Sequence, residues 1–526
     1  MSKRATIAVE SNELKKLKDA NSLLDSNYNG FKVLEDGIEL DTIPIPKTPT
    51  EIRQFYNEYV KKRKPCRFSE RVDSFDWDLL KPENIKNLLH NTTLQIEKKT
   101  DGGFGSGSKR LAMDFYDFLD SLAAGNYDLY LTTQYAEHEV IDKCPKNQNT
   151  DECSEEEIEG EEEEEEEDDD DDDEEEEETG VYAFPDNASD VSSTDSINFN
   201  DLHDDFEEME EKDEGFEDLS YLVKELYQPP LDTLISSIPE QLPFLKLIPQ
   251  QINLWIGAAK EHEDNQAFLK DFDPDDKKLG LGRNVPGGGS SSGLHHDHAD
   301  NIYIPIKGHK RFTLFAPSDV SKMYTVGDLD ELYDTGIINY KRNEKSPQWN
   351  KLRRDGAIET LYAEHRLEDP NISEEERKIM ENILNDDNAN QKDLSSSENV
   401  NHLDPPSFST IPPTVVHLDK VVDEVTRKNI EKISRKKWPE FFNAHRITVD
   451  LKPGEMLYLP TGWFHEVTSF GFREPSEDSS DIHVAVNYWL MPPTGDSIES
   501  MYSDNYWQTY FQSVSNALKE ARRGAH

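Results

Sequence analysis

An uninterrupted run of Asp and Glu from Glu161 to Glu178 divides this chain. Like charges at that density repel, and the run has no apolar surface to offset the entropy of ordering a backbone. The flanking sequence extends the effect. Residues 151–218 hold 38 of the 110 acidic residues and one of the 57 basic ones. The spacing therefore predicts a disordered, acidic, low-complexity insertion over 136–218, with the fold assembled from sequence on either side. Of the net charge of -53, this block carries -37 and the other 458 residues only -16. What remains is a mildly acidic chain, long enough for one large core.

That balance excludes several classes. Sequence-independent nucleic-acid binding needs clustered Lys and Arg to displace counterions, so no direct nucleic-acid partner is expected. Anionic membrane surfaces are disfavoured for the same reason, and no run of about 18 apolar residues occurs that could span a bilayer. The acidic block suits basic partners, such as a basic protein substrate, or serves only solubility. The N-terminal MSKRATIAVESNELKK has too short an apolar stretch for a secretory signal. Cys66, Cys144 and Cys153 form no CxxC pair. Sparse thiols of this kind fit a reducing, cytoplasmic or nuclear setting, as inert or buried groups. Nothing in the pattern sets an oligomeric state.

Residues 1–30 read as a polar extension. In 31–135, PTEIRQFYNEYVKKRKP has helical spacing with Ile52, Phe55, Tyr56 and Tyr59 on one face. NTTLQIEKK alternates as a strand, LAMDFYDFLDSLAAG reads as an amphipathic helix stopped at Gly125, and NYDLYLTTQY reads as a strand. Folded sequence resumes in 219–317 with the strand QINLWIGAA, then a Gly- and Ser-rich loop. Two strands follow, joined by a turn at Lys307-Gly308. Residues 318–438 form a second insertion, with a helix in ISEEERKIMENIL and a disordered-looking polar stretch from Asn385 to Pro406. In 439–495 the fold closes on three more strands, turning at Pro453-Gly454 and Thr461-Gly462. Residues 496–526 end in a helix that presents Tyr506, Trp507, Tyr510, Phe511 and Val514 as contacts. Short strands with Gly and Pro turns and few crossover helices predict a mainly β barrel or sandwich with peripheral helices.

His295-His296-Asp297 opens the first strand after the Gly-rich loop. Side chains alternate along a strand, so His295, Asp297 and Asn301 share a face. A third histidine, His465, follows the turn in LYLPTGWFH. Two imidazoles and one carboxylate form the facial triad that suits non-haem Fe(II), leaving coordination positions open. A second frame, His298-Ala299-Asp300, competes. Asn301 and Tyr303 continue the face of His295, and Lys310 follows where a cation could meet a distal carboxylate. An isolated H-x-D is commonly two surface polar residues, and it is the Lys and the distant His that lift this one.

GLHHDHADNIYIPIKGHKRFTLFAPSD, followed by GEMLYLPTGWFHEV and VAVNYWL, resembles the Jumonji-C (JmjC) family of the cupin superfamily. RKPCRFSE, TTLQIEKKTDGGFG, LYLTTQ and INLWIG extend the likeness upstream. It is similar to the small hydroxylase branch and, within that, to lysyl hydroxylases of the Jumonji-C protein-seven type. The resemblance implies a double-stranded β-helix (jelly-roll or cupin barrel) carrying long insertions. It implies Fe(II) held by His295, Asp297 and His465, with 2-oxoglutarate and O2 as co-substrates. Lys310 would bind the distal carboxylate of 2-oxoglutarate, helped by Ser292 and Tyr130. The family more often has Thr at the position of Ser292. Asn301 and Asn487 match polar positions near the metal and co-substrate. Each residue has a plainer alternative: Tyr130 as a barrel aromatic, Asn487 as a turn cap, Lys310 as a solvated strand-end group. Trp255, Trp463 and Trp489 read as core or pocket wall, and Glu466 as a supporting or surface group pointing away from His465.

The implied reaction is Fe(II)- and 2-oxoglutarate-dependent hydroxylation of a protein side chain, lysine above all, with release of succinate and CO2. No protein acid or base beyond the metal centre is required. A JmjC histone lysine demethylase is the first alternative, although three cysteines cannot build the usual four-Cys zinc reader. A non-catalytic acidic cupin that binds basic proteins is the second.

Overall fold

The computed structural model describes residues 28–73, 75–89, 92–98, 110–134, 220–260, 266–275, 285–347, 349–394, 405–471 and 481–524. The expected acidic insertion, most of the N-terminal extension, Cys144 and Cys153 lie outside them. Cys66 is a buried free thiol, and burial raises its pKa well above the ordinary thiol range.

In chain order the strands are β1 (Thr42–Ile43), β2 (Cys66–Phe68), β3 (Thr93–Lys98), β4 (Leu111–Asp114), β5 (Leu129–Leu131), β6 (Pro249–Ala258), β7 (Ser290–Ser291), β8 (Asp300–Lys307), β9 (His309–Phe315), β10 (Leu329–Leu332), β11 (Ile338–Tyr340), β12 (Arg446–Leu451), β13 (Met456–Leu459), β14 (Phe464–Phe470) and β15 (Ile482–Leu490). Nine build one sheet in the order β1-β2-β13-β8-β15-β6-β5-β3-β4. Four build a second, β12-β9-β14-β7, and β10 pairs with β11. The two sheets face each other, and the ladders that line the space between them are antiparallel.

Alternation assigns the faces. Along β15, Val484, Val486, Tyr488 and Leu490 join Ile252, Leu254 and Ile302 in an apolar layer under the helices, where Phe55, Ile85, Leu119 and Leu518 pack. The alternate set, His483, Ala485, Asn487 and Trp489, turns toward the second sheet. There Ala485 and Tyr303 meet Phe312, Leu314, Ile447 and Trp463. The interior is thus apolar at one side and polar at the other. This is the expected double-stranded β-helix with peripheral helices. Among the described residues no helix is long and apolar enough to cross a membrane.

Several local expectations change. LAMD is strand β4, and the helix begins only at Phe115, where the Asp114 side chain caps it. Pairing with β3 outweighs helix propensity for those four residues. The helix Pro49–Phe55 opens on a Thr48–Glu51 capping box, then widens into a π turn over Tyr56–Val60. The closing strands number four (β12 to β15), because the Gly454 and Gly462 turns each separate a pair before β15 begins. The polar stretch after Asn385 is not irregular at its start, since the helix Glu374–Leu394 runs through it. Residues 318–394 and 405–438 carry their own apolar cluster. Met323, Ile338, Trp349, Val416, Ile430 and Trp438 pack onto Phe315 and Phe464 of the second sheet.

Two glycines from distant parts of the chain meet at the turn before β14. Gly462 (φ 75°) lies so close to Gly336 that a Cβ would sit 1.9 Å from the Gly336 carbonyl oxygen. Gly462→Ala is expected to lower stability by about 1–3 kcal/mol, from left-handed strain and a backbone clash. Urea unfolding checks this, and an unchanged midpoint would contradict it.

Candidate metal centre and inner pocket

His295 is not on a strand. It forms one isolated antiparallel bridge with Phe408 and another with His465, while β8 begins five residues later at Asp300. The bridge to His465 is reciprocal: His295 N–H donates to the His465 carbonyl at 3.0 Å, and His465 N–H to the His295 carbonyl at 2.7 Å. Two residues 170 positions apart in sequence are therefore cross-strand neighbours. Simple alternation did not place Asp297. Its backbone carbonyl accepts from Gly462 N–H (2.9 Å) and Thr461 Oγ1 (3.2 Å), which turns the carboxylate toward the two rings.

One ligand atom from each of His295, Asp297 and His465 lies within 4.8 Å of the other two. His295 Nε2 is 3.9 Å from Asp297 Oδ1, and His465 Nε2 is 3.6 Å from Asp297 Oδ2. Each ring's Nδ1 faces a backbone carbonyl, Gly293 at 3.1 Å and Trp463 at 2.9 Å. An Nδ1–H donated there leaves Nε2 as a lone-pair donor, the tautomer a metal needs. Burial, with His465 nearby, pulls the His295 pKa down to about 4, so this ring is neutral at physiological pH. Asp297 Oδ1 is buried without a hydrogen-bond partner. An orphaned carboxylate oxygen between two aimed imidazoles fits a divalent cation, and the N2O donor set fits Fe(II).

The competing frame is committed elsewhere. His298 Nε2 lies 3.0 Å from the Ile338 carbonyl. Asp300 is fully buried against Arg63, and accepts from Tyr458 (2.7 Å) and Thr461 N–H (3.0 Å). Glu466 does point away from the triad, as alternation implies, but it is buried. It meets His417 at 2.6 Å and accepts from Ser291 and Thr468. Burial alone would raise its carboxyl; His417 and those hydrogen bonds bring it below the usual range.

Lys310 lies on β9, fully buried, opposite Ser469 of β14. Its Nζ donates to Ser469 Oγ (2.7 Å) and to His483 Nδ1 (3.1 Å). Burial pulls its pKa down to about 7. Tyr130 sits opposite Gly257, with its ring 5.8 Å from His483 and 6.2 Å from Trp255. A Cβ at Gly257 would lie 2.5 Å from that ring, so glycine makes room for it. Burial raises the Tyr130 pKa, keeping the phenol neutral. Asn487 accepts from Trp255 Nε1 (2.8 Å) and donates to Asn301 Oδ1 (3.3 Å). Lys310, Tyr130, Asn301 and Asn487 thus share the polar side of the interior. Ser292 does not meet Lys310. Its hydroxyl donates to the Gly293 carbonyl and accepts from Val467 N–H.

Ser469, His483, Gln251 and Asn253 were not singled out from sequence. The signal was present as period-two spacing: His465 to Ser469 along β14, and His483 to Asn487 along β15. Gln251 Oε1, both amide atoms of Asn253 and Trp489 Nε1 are buried without partners. They line the same face, since Trp489 pairs with Gln251 and Asn487 with Asn253. Buried polar groups left unpaired in this way mark where a polar ligand fits.

A cupin-like domain model matches residues 52–495. The chain belongs to the cupin-like, JmjC-type family. JmjC domain-containing protein 4 of Schizosaccharomyces pombe is 23% identical over 561 residues, covering 94% of each chain. Lysine-specific demethylase JMJ32 of Arabidopsis thaliana is 25% identical over 46% of this chain and 41% of its own length. JmjC domain-containing protein E of Dictyostelium discoideum is 24% identical over 50% of this chain and 51% of its own. Family and geometry agree: JmjC cupins typically include Fe(II)/2-oxoglutarate oxygenases, and the His-Asp-His group here suits the iron.

Proposed function

We propose that this protein is an Fe(II)- and 2-oxoglutarate-dependent dioxygenase that hydroxylates a lysine side chain of a basic protein, in the cytosol or nucleus. The observation that carries it is a buried lysine, Lys310, with no carboxylate partner among the described residues, on the interior face that also carries the metal ligands. Lys310 and His465 face the interior four residues apart along the β9–β14 ladder, about 13 Å. A five-carbon diacid held at both ends by reaching side chains fills such a span. Bound iron would supply the oxidative decarboxylation of the 2-oxo acid and the insertion of oxygen into a C–H bond.

The chain's own residues supply the rest. His295, Asp297 and His465 would hold one face of the metal. Lys310, steadied by Ser469 and His483, would anchor the distal carboxylate, with the neutral Tyr130 phenol beside it. Asn301 and Asn487, fixed by Trp255, present amides near the metal. The enclosing apolar wall of Tyr303, Phe312 and Leu314 excludes water and strengthens each polar contact. The acidic block supports a basic substrate by electrostatic attraction.

Anaerobic Fe(II) titration followed by O2-dependent succinate release tests the core of this reading. Lysine peptides analysed by mass spectrometry test the substrate. Gain of one oxygen supports hydroxylation. Methyl loss with formaldehyde would replace it by demethylation, the activity named for the Arabidopsis relative. No succinate under any condition would remove the enzymatic reading.

The Lys310 pKa adds a pH dependence. A dianion prefers the charged amine, so binding draws a proton back whenever the free site has lost it. Affinity for 2-oxoglutarate should be flat below pH 7 and fall about tenfold per pH unit above it. Lys310→Met should weaken binding about a hundredfold and flatten that profile. Calorimetry from pH 6 to 9 with metal-loaded protein checks both.

A further inference from the structure

Phe408, His417 and Gly336 each support a different metal ligand, Phe408 by direct contact and the other two through a residue that holds the ligand. Phe408 stacks on the His295 ring, with centroids 4.7 Å apart and planes 10° apart. Its backbone bridges His295. Phe408 is itself pinned: its carbonyl accepts from Val326 N–H at 2.8 Å, and the next residue, Ser409, donates its N–H to the Leu294 carbonyl at 2.8 Å. His417 holds the Glu466 carboxylate at 2.6 Å, immediately beside His465, with both side chains buried. Gly336 seats the Thr461-Gly462 turn that grips the Asp297 carbonyl.

A side chain whose only task was to fill space could meet one ligand by chance. Three separate contacts, one on a ligand ring, one on the residue beside a ligand and one on the turn that holds Asp297, are a coordination support. A flat ring stacked on an imidazole fixes its rotation about χ2, which sets where Nε2 points. A carboxylate gripped from the outer face of β14 fixes the strand that carries His465. Outer partners of this kind typically set metal affinity by about 10–100-fold.

We propose that the described stretches 318–347, 349–387 and 405–421 form a collar that sets the geometry of the metal centre, with Phe408 and His417 as its positioning residues. This rests on the triad being a metal site. Neither residue is catalytic, since neither touches a reacting atom.

The test loads full-length protein with Co(II). It reads the dissociation constant by calorimetry and the coordination geometry from the visible ligand-field bands. Phe408→Leu keeps apolar bulk but removes the flat face. It should weaken Co(II) about tenfold or more and shift the bands, while Phe408→Tyr restores both. His417→Leu should act likewise and His417→Gln, which keeps a donor for Glu466, should recover. Ile430→Val serves as the folding control, because it loosens the same apolar cluster away from the ligands. It should lower the melting temperature without moving the bands. Unchanged bands and affinity in Phe408→Leu and His417→Leu would overturn the collar. So would equal band shifts in Ile430→Val. Absence of Co(II) binding by the unaltered protein would instead overturn the metal reading itself.

Discussion

Asp297→Ala is expected to cut O2-dependent succinate formation by about a thousandfold or more, and to leave the fold intact. The carboxylate is the one anionic ligand, lying 3.9 and 3.6 Å from the two imidazole Nε2 atoms. Without it two neutral rings remain, and a divalent ion loses both charge compensation and the third corner of its face. Stability should respond the other way. Asp297 Oδ1 is buried without a hydrogen-bond partner, so removing it from protein stripped of metal relieves a desolvation cost. Thermal unfolding of metal-free Asp297→Ala should match or exceed that of the parent, while metal content after loading falls to background. A variant that still retained stoichiometric metal would exclude Asp297 as a ligand.

Asp300→Ala, only three residues away, is expected to do the reverse. Asp300 and Arg63 form a buried ion pair completed by Tyr458 and the Thr461 amide. Removing the carboxylate leaves the guanidinium uncompensated inside the fold, a loss of about 3–5 kcal/mol. The Arg63 carbonyl also accepts from Trp463 Nε1 at 3.1 Å, so the disturbance reaches the turn before β14. The double variant Arg63→Met/Asp300→Leu should regain much of the loss, because two apolar groups of similar size leave no stranded charge. Urea denaturation of the three variants, with Co(II) binding measured on the surviving folded fraction, separates the two H-x-D frames. Stability equal to the parent in Asp300→Ala would contradict the pair's role.

Much of this was legible in the sequence, and for identifiable reasons. The barrel strands carry period-two patterns, so β8, β9, β14 and β15 could be located and their faces assigned. The triad could be named because its residue types are unusual together. Its placement could not: the first two ligands precede β8 in a bridged loop, where alternation has no force. Ser292 was expected, on the strength of resemblance, to help Lys310 hold the distal carboxylate. The β9–β14 register puts Ser469 opposite Lys310, a pairing that neither strand reveals alone. LAMD could not be distinguished from helix because its partner, β3, lies more than a dozen residues upstream. Phe408 and His417 left no signal at all. Each acts through a contact about 50 or more residues away in sequence, in a region without periodicity.

Strand β6 has a consequence of another kind. One of its edges pairs with β5 at Gly257 and Ile256, and the same strand is bridged by Tyr227 at Ile252. The chain thus leaves toward its acidic block and returns from it along a single strand, which acts as a splint across the interruption. Covalent continuity through residues 135–219 is not what aligns Tyr130 with the metal ligands; the ladder does that. Changes in the length or charge of that segment are therefore expected to leave the register that sets Tyr130 against His483 and Trp255 unchanged.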